Sequence, residues 1–441
     1  MRQPQQILEL RFNFRNFFII FNPSIKRVII FKMGSNFLTD LHNANISGVA
    51  FKNIKLKKKI LAYFASHELA TIAELSKEFN ISIPKINECI TELIDEKLVK
   101  DYGKQTSNVG RKPNNYGLEA NSAFFIGVQV GHDFLSIAMI NMKKELVASK
   151  HDIPYTLENN EQSLLDICKE IKDFIAKLNI KKEKILGIGV NLSGRINYRT
   201  GYSYSYFNFY EDPLSNFFEQ ELGIHTFLEN DTKALAYGEF SSGILTNEKD
   251  ALFINVDNGI GLGILINNQL YYGKSGFSGE FGHIPIFDND IICKCGKKGC
   301  LETEASGHAL RRSVITQLKE GATSTLTKKF HEVEDIRLHD IIQAAKKDDT
   351  LCIEAINEIG EKLGRGLAAL INIFNPELII IGGVLAASDE YLSLPLKNAI
   401  NKYSLSIVNK DTKIVMSSND QKFAAIGACL LLRDRLLEIT E

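Results

Sequence analysis

Three cysteines within eight residues are the feature that most limits how this chain can fold. They lie in the segment Cys293-Lys-Cys-Gly-Lys-Lys-Gly-Cys300, and a histidine lies ten residues upstream of it. Three thiolates and one imidazole make the ligand set of a closed tetrahedral zinc site, and interleaved glycines allow a short loop to wrap the ion. We predict a structural zinc ion with the ligands His283, Cys293, Cys295 and Cys300. The alternative is a group of buried free thiols.

The start of the chain and its cysteine count bear on the compartment. Seven cysteines is an odd number, which disfavours a disulfide framework and favours the reducing cytoplasm. Two apolar runs, at 17–21 and 28–31, are much shorter than the roughly 20 residues of a membrane helix, so we expect no membrane association. We predict residues 1–50 to be a weakly ordered extension, with Met33 as an alternative start.

Residues 51–119 have the pattern of a small helical DNA-binding domain. Apolar residues at helical spacing predict a first helix, Thr71 with Glu74 forms a capping-box signature for a second, and Ser82 with Pro84 begins a third. A hairpin follows, which completes the winged helix-turn-helix arrangement, in which the third helix enters a DNA major groove. The predicted buried stripe of that helix consists of Ile83, Ile86, Ile90, Leu93 and Ile94.

The charge distribution also favours DNA as the partner of this region. Residues 51–116 contain twelve Lys and Arg against eight Asp and Glu, whereas residues 117–441 contain thirty-four against forty-three. A basic loop before Pro113 suits phosphates or a minor groove. The predicted DNA contacts are Lys85, Asn87, Thr91, Arg111 and Lys112. Because helix-turn-helix shapes also occur in protein–protein modules, a scaffold that binds no DNA is an alternative.

From residue 120 onward, apolar strand patterns alternate with helical ones. The order strand, strand, strand, helix, strand occupies residues 124–192 and starts again at residue 251. The predicted strands are 124–131, 134–141, 146–153, 185–192, 251–256, 263–267, 269–272, 378–381 and 413–417, with a helix at 161–178. A repeated half predicts two similar α/β lobes with a ligand cleft between them. We expect the lobes at about 120–248 and 249–421, and a C-terminal helix at 422–441.

Motifs in and around the cysteine loop closely resemble the signature of the ROK family, which groups bacterial sugar kinases with transcriptional repressors built on the same fold. Besides the cysteine loop itself, the motifs that carry this resemblance are Gly279-Glu280-Phe281-Gly282-His283, Leu301-Glu302, Ala305-Ser306-Gly307, Glu229-Asn230-Asp231, Gly259-Ile260-Gly261-Leu262-Gly263, Asn375-Pro376-Glu377 and Ile381-Gly382-Gly383. The resemblance implies a two-lobed α/β fold of the actin or hexokinase type, a duplicated ribonuclease H-like unit. The winged helix resembles the extra domain of the repressor branch.

The resemblance also implies which residues bind a sugar and a nucleotide. The residues implied to hold sugar hydroxyls are Asn230, Asp231, Glu280, His283 and Glu302. Carboxylates suit that role because they accept charge-assisted hydrogen bonds. In the kinases the residue matching Asp231 is the general base, although an acid at a helix N-terminus is also explained by the helix alone. The residues implied to face a nucleotide are Gly131, Gly259, Gly261, Gly382 and Gly383. The glycine at 259 follows an asparagine, which is also an ordinary hairpin signal.

The sequence departs from the kinases where they bind phosphate. Kinases of this fold carry Asp-x-Gly-x-Thr after the first strand, and here Gln129 replaces the acid and Asp133 replaces the threonine. A threonine is also expected near Asn258, with glycine in place of Asp257. Phosphoryl transfer depends on positioning and charge stabilisation, which these changes weaken. The sequence therefore favours a sugar sensor over an enzyme and argues against Mg-ATP as a cofactor.

We predict a sugar-responsive transcriptional regulator, most simply a repressor, whose kinase-like region senses a sugar or sugar phosphate. A homodimer or homotetramer on operator DNA is the expected form, because symmetric dimers match pseudo-palindromic operators. The alternative is an active ATP-dependent sugar kinase with a DNA-binding head, in which Asp231 is catalytic.

Overall fold

The structure is a computed structural model that describes residues 17–22, 27–32, 48–104, 113–417 and 423–439. The chain divides into two compact units, the first ending at Glu119 and the second beginning at Ala120. Among the helices of the described residues, none is long and apolar enough to span a membrane. The alternative start at Met33 lies outside the described residues.

The first unit contains the predicted three helices and a small sheet. Its elements are β1 (Phe17–Asn22), β2 (Arg27–Lys32), α1 (Val49–His67), β3 (Leu69–Ala70), α2 (Ile72–Phe79), α3 (Ile83–Asp95), β4 (Val99–Lys104) and β5 (Asn114–Leu118). Strands β1 and β2 pair as an antiparallel hairpin within the predicted extension. Strands β3, β5 and β4 form a separate antiparallel sheet in that order. This arrangement confirms the predicted winged helix-turn-helix plan.

The starts of the second and third helices differ from each other in how they are capped. The predicted capping box is present at α2, because the hydroxyl of Thr71 accepts from the Glu74 amide and the Glu74 carboxylate accepts from the Thr71 amide. At α3, Ser82 is the N-cap residue, but its side chain makes no capping hydrogen bond. The prediction that Ile83 is buried is wrong, because its side chain is 55% exposed. Ile83 is the first residue of α3 and lies N-terminal to the turns on which Ile86 and Ile90 pack.

The first lobe of the second unit is built around one five-stranded sheet. Its elements are β6 (Phe124–Val130), β7 (Phe134–Asn141), β8 (Leu146–Pro154), α4 (Glu161–Ala176), β9 (Ile185–Leu192), β10 (Ile196–Asn197), β11 (Tyr202–Ser203), α5 (Leu214–Leu222), β12 (Thr226–Asn230) and α6 (Asp231–Ser241). The sheet order is β12-β9-β6-β7-β8, with β6 parallel to β9 and antiparallel to β7.

The second lobe repeats that sheet. Its elements are β13 (Ala251–Val256), β14 (Ile260–Ile266), β15 (Gln269–Leu270), α7 (Glu302–Ala305), α8 (Gly307–Lys319), α9 (Leu326–Lys329), α10 (Leu338–Ala345), α11 (Thr350–Phe374), β16 (Leu378–Gly382), α12 (Asp389–Tyr403), α13 (Ser406–Asn409) and β17 (Lys413–Met416). The order is β15-β14-β13-β16-β17, with β13 parallel to β16 and antiparallel to β14. The repeated half that the sequence predicts is therefore present.

One strand of the second lobe begins earlier than predicted. Strand β14 begins at Ile260 rather than at residue 263, so Gly261 lies inside the strand. A Cβ at that glycine would lie 2.1 Å from the Thr232 hydroxyl oxygen at the start of α6. The glycine permits a close approach between strand and helix, and it does not mark a turn as the sequence pattern suggested.

The last described helix, α14 (Phe423–Leu436), packs on the first lobe. Close contact is possible because glycines face it or lie within it. A Cβ on Gly127 of β6 would lie 2.0 Å from the Ala425 carbonyl oxygen, and one on Gly427 would lie 1.9 Å from that of Ala234. The helix therefore covers the β6 side of the sheet and contacts α6, the helix that follows β12.

Candidate functional site

The four predicted metal ligands form one small cluster. The ligand atoms of His283, Cys293, Cys295 and Cys300 all lie within 4.8 Å of one another. The Nδ1 atom of His283 is 3.5 Å from the Cys293 sulfur, and the sulfurs of Cys295 and Cys300 are 3.6 Å apart. Ligands around a tetrahedral zinc ion, with bonds of about 2.0–2.3 Å, are separated by roughly 3.5–3.8 Å. The donor set and its spacing therefore suit a metal ion of this kind.

The loop that carries the cysteines folds back on itself. The amide of Cys293 donates to the Lys297 carbonyl over 2.8 Å, and the amide of Gly296 donates to the Cys293 carbonyl over 2.8 Å. Gly296 and Gly299 have φ angles of +81° and +75°, in the region that favours glycine. The loop can therefore turn tightly enough to bring three sulfurs to one point.

His283 lies between the metal cluster and a carboxylate. It ends a 3-10 turn, Phe281–His283, and its Nδ1 faces the cysteines. Its Nε2 is 3.7 Å from the Glu280 carboxylate, which is itself 3.7 Å from the Arg195 guanidinium. His283, which is predicted to bind both the metal and the sugar, is thus adjacent to Glu280, which is predicted to bind the sugar alone. The His283 imidazole lies next to both the Cys293 sulfur and the Glu280 carboxylate.

Asn230 and Asp231 lie where β12 ends and α6 begins. The Asn230 side chain caps α6 by accepting from the Lys233 amide, and it also donates to the Gly194 carbonyl over 2.9 Å. The Asp231 carboxylate accepts from the Ser193 hydroxyl over 2.5 Å and from the Thr232 amide over 2.6 Å. The N-cap position thus belongs to Asn230, whereas the Asp231 carboxylate bonds the first-turn amide of Thr232 and the Ser193 hydroxyl.

Burial changes the acidity of the charged groups around Asp231. Removal from water raises the pKa of the Asp231 carboxyl, although the hydrogen bonds from Ser193 and Thr232 oppose the shift. Burial, with the nearby charge of Asp231, also raises the pKa of Asp257. The pKa of Lys233 is lowered by burial, against the attraction of neighbouring carboxylates. An anion bound here would face two carboxyl groups.

Glu302 lies against the glycine turn. Its carboxylate accepts from the Ile260 amide over 3.0 Å, and a Cβ on Gly259 would lie 2.6 Å from the same oxygen. A Cβ on Gly282, beside His283, would lie 3.3 Å from the Glu302 Cβ atom. The structure therefore brings Glu302 beside the Glu280–His283 turn, and the space at Gly259 is taken by this carboxylate.

The other positions assigned to a nucleotide lie at the ends of central strands. Gly131 follows β6, and Gly382 and Gly383 lie at the end of β16. Gln129 is buried near the end of β6, whereas Asp133 is exposed and its carboxylate lies 2.8 Å from the His132 Nδ1 atom. His132 is a partner of this acid that the sequence did not suggest.

Three residues missed by the sequence analysis join the predicted sugar residues. Ser193 contacts Asp231, and Arg195 contacts Glu280, so one short segment after β9 reaches both. Lys233 donates to the carbonyls of Gly276 and Ser278 over 2.8 and 3.0 Å, which ties α6 to the loop before Glu280. The contacts of Arg195 and Lys233 join the two lobes, that of Ser193 lies within the first lobe, and the sequence offered no motif for any of them.

A buried charge network lies behind the site. The guanidinium of Arg435, on α14, contacts the Glu229 carboxylate and the Tyr272 hydroxyl. The Tyr272 hydroxyl also donates to Glu229 over 2.9 Å, and Arg435 lies over the Tyr198 ring at 4.5 Å. Glu229 directly precedes Asn230, so the last described helix supports the strand end that carries the sugar residues.

The predicted DNA contacts on α3 lie on its outer side. Asn87 and Thr91 are exposed, and the Thr91 hydroxyl donates to the Asn87 carbonyl. Lys85 is half-buried and forms a 2.9 Å ion pair with Glu88, which was not expected from the sequence. Arg111 and Lys112 lie outside the described residues.

Two family models match this chain. The model described as the ROK family matches residues 125–435, and the model described as a winged helix-turn-helix DNA-binding domain matches residues 55–100. The first covers more than half of the chain, and the two together match parts of both compact units.

Curated proteins and solved structures with similar sequences or folds include regulators and kinases. The chain is 30% identical to the xylose repressor of Caldicellulosiruptor bescii, over 87% of this chain and 97% of that protein. It is 29% identical to the DNA-binding transcriptional dual regulator NagC of Escherichia coli, over 83% and 88% respectively. A ROK family transcriptional regulator, a homologue of the E. coli MLC protein, superposes with a TM-score of 0.71 at 26% identity, over 88% and 98%. A ROK family glucokinase from Streptomyces griseus superposes with a TM-score of 0.62 at 24% identity, over 70% and 99%.

Proposed function

The chain belongs to the ROK family, and from that premise we propose that it is a sugar-responsive, DNA-binding transcriptional regulator, most simply a repressor. The observation that carries the proposal is the winged helix joined to the family fold, an arrangement that the xylose repressor matches along 97% of its own length. The glucokinase structure matches only 70% of this chain and supports the fold alone. We place the regulator in the cytoplasm as a symmetric dimer or tetramer on operator DNA.

The sugar site that we propose consists of Asn230, Asp231, Glu280, His283 and Glu302. Support comes from their contacts: the segment that holds Ser193 and Arg195 reaches both Asp231 and Glu280, and His283 touches Glu280. Carboxylates and an imidazole beside one another suit a ligand rich in hydroxyl groups. Because these groups come from both lobes, a bound sugar would favour one arrangement of the lobes over another.

We propose that the metal is zinc and that its role is structural. Three thiolates and one imidazole fill all four positions of a tetrahedral ion, so no position is left for a substrate. The ion would fix the loop of residues 284–300 and the Nδ1 face of His283, and it would take no part in chemistry.

The regulator is tested by fluorescence anisotropy of the full chain on its own upstream DNA at fixed salt. The panel contains xylose, glucose and N-acetylglucosamine, their phosphates, and Mg-ATP as a separate addition. We expect one sugar to change the dissociation constant for DNA by about tenfold, in the range of typical allosteric coupling. We expect Mg-ATP to change nothing.

Three variants sharpen the test. Glu280→Gln should abolish the sugar response and keep DNA affinity, whereas Glu358→Gln, an exposed carboxylate of the same lobe, should behave as the wild type. Neutralising Arg111 and Lys112 together should weaken DNA binding and reduce its salt dependence.

Absence of DNA binding together with ADP production on one sugar would make the protein a kinase, with Asp231 as its base. An intact response in Glu280→Gln would show that the sugar site is misplaced.

A further inference from the structure

A short hairpin places two large side chains beside the proposed sugar site. Strands β10 and β11 pair so that Ile196 lies opposite Ser203, and the Tyr204 amide donates to the Arg195 carbonyl over 2.9 Å. Arg195 and Tyr204 are therefore opposite each other in the ladder, and their side chains share one face. The Arg195 amide also donates to the Ser205 hydroxyl over 3.0 Å, which fixes the register.

The loop before Glu280 faces these two side chains. The rings of Tyr204 and Phe277 meet edge to face, with centroids 5.6 Å apart and planes at 86°. The Arg195 Nε atom is 3.7 Å from the Glu280 carboxylate. Two contacts thus join the hairpin of the first lobe to one loop of the second. We call these four residues, Arg195, Tyr204, Phe277 and Glu280, the aromatic wall.

The side chains of the aromatic wall are open to solvent. Tyr204 is 51% exposed, and the side chains of Arg195 and Glu280 are 47% and 42% exposed. About half of the Tyr204 surface is therefore available to a ligand, and covering an aromatic surface contributes favourably to binding. The wall adjoins the site directly, since the residues before Arg195 contact Asn230 and Asp231.

We propose that the aromatic wall is a second sugar subsite, which binds the next ring of a glycoside whose first ring lies between Asp231 and Glu280. This inference rests on the proposed function of that site. A pyranose ring has an apolar C–H face and a polar hydroxyl edge. The Tyr204 ring offers a surface for the face, and the charged pair of Arg195 and Glu280 offers donors and acceptors for the edge. The effector is then a glycoside of at least two rings.

The subsite is tested by calorimetry on the full chain with matched sugars. The probes are glucose, xylose and N-acetylglucosamine, each beside its 1,4-linked disaccharides. We expect one disaccharide to bind about tenfold more tightly than its monosaccharide, a difference of about 1.4 kcal/mol. Tyr204→Ala should remove that advantage and change monosaccharide affinity less than about twofold, and Tyr204→Phe should restore most of the advantage because the ring remains.

Phe209→Ala is the matched control. Phe209 is 46% exposed in the same aromatic segment, but its ring contacts Phe207 and Tyr210 and not the wall. Equal affinity for monosaccharide and disaccharide, or equal loss of both in Tyr204→Ala, would mean that the wall only closes the lobes and would overturn the subsite. Monosaccharide binding with an intact DNA response would still support the proposed function in that case. Failure of every probe to bind would overturn the subsite, and the sugar phosphates in the DNA-binding assay would then decide the proposed function.

Discussion

The imidazole of His283 connects two sites that have different chemistry. Its Nδ1 atom faces the cysteine cluster, and its Nε2 atom faces the Glu280 carboxylate. A metal ion on Nδ1 would fix the orientation of the ring and keep a proton on Nε2, where it can donate to a hydroxyl or a carboxylate. A bound metal would therefore set the geometry of the proposed sugar site.

Replacing one cysteine should disturb both sites. In Cys295→Ser we expect the bound zinc to fall well below one ion per chain, because a neutral hydroxyl replaces a thiolate ligand. We also expect sugar affinity to fall by about 10-fold to 100-fold, the usual effect of disturbing the groups around a metal ligand. Elemental analysis and calorimetry measure the two quantities.

The control for this variant is Cys168→Ser, which changes a thiol buried in α4, far along the chain from the cysteine loop. It should retain the metal. Undiminished zinc in Cys295→Ser would disprove the proposed ligand set.

At this scale the sequence indicates residues that belong to motifs and misses those that act through the fold. The cluster of His283 with three cysteines is predictable because these residue types and their spacing allow few other uses. Ser193, Arg195 and Arg435 belong to no motif. They reach Asp231, Glu280 and Glu229 across 38, 85 and 206 residues of chain, so only the assembled lobes bring them to the site.

The helices of the winged domain show how two hydroxyl residues can act differently at two helix starts. Thr71 and Ser82 both precede helices and both carry hydroxyl groups. Only Thr71 is engaged, in a capping box with Glu74, whereas the Ser82 side chain makes no capping bond. At α3 the amide of the third helical residue, Lys85, donates to the Ser82 carbonyl over 3.0 Å, and no glutamate stands there to complete a box.

The two caps should therefore differ in stability. Thr71→Ala should destabilise α2 by about 1 kcal/mol, since it removes the acceptor for a helix-end amide. Ser82→Ala should change the stability of α3 by less than about 0.5 kcal/mol. Hydrogen exchange of the α2 and α3 amides in the full chain measures both, and equal effects at the two sites would contradict this account.

Element boundaries were predictable where apolar periodicity is strong and unreliable where packing overrides it. Strands β7, β9 and β13 begin and end at the predicted residues. Strand β14 was misjudged at its start because alternating glycines read as a turn, and their close approach to α6 is visible only in the structure. The exposure of Ile83 was missed because a helical stripe does not show where its core ends.

At the scale of the whole molecule, the repeated sheet accounts for the two lobes, and α14 adds a buried ion pair to the first of them. Arg435 and Glu229 are 11% and 5% exposed and lie 206 residues apart in the chain. Their contact is made in the interior, where a lone charge is costly. The pair therefore holds β12 and α14 in one arrangement.

Removing one partner should be more damaging than removing both. Arg435→Met should lower the free energy of unfolding by about 3–5 kcal/mol, because it leaves the Glu229 carboxylate buried and without its guanidinium. The double change Arg435→Met with Glu229→Gln should recover most of that loss. Denaturant unfolding followed by circular dichroism measures both.

A surface ion pair provides the comparison. Lys172 contacts Glu221 over 3.0 Å, with side chains 50% and 39% exposed. Lys172→Met should cost less than about 1 kcal/mol, since exposed ion pairs contribute little. If Lys172→Met and Arg435→Met lowered the free energy of unfolding equally, burial would not determine the strength of the Arg435 pair.

The separation of Glu229 from Arg435 also fixes an order of events during translation. The ribosome completes the winged helix by Glu119 and makes β12 about a hundred residues later, but the guanidinium that supports β12 emerges only after a further 206 residues. At about 5–20 residues per second, that interval lasts roughly 10–40 s. During it, every growing chain carries a finished DNA-binding head beside an unfinished sensor, and a message cut short in this interval would encode a head that no sugar controls.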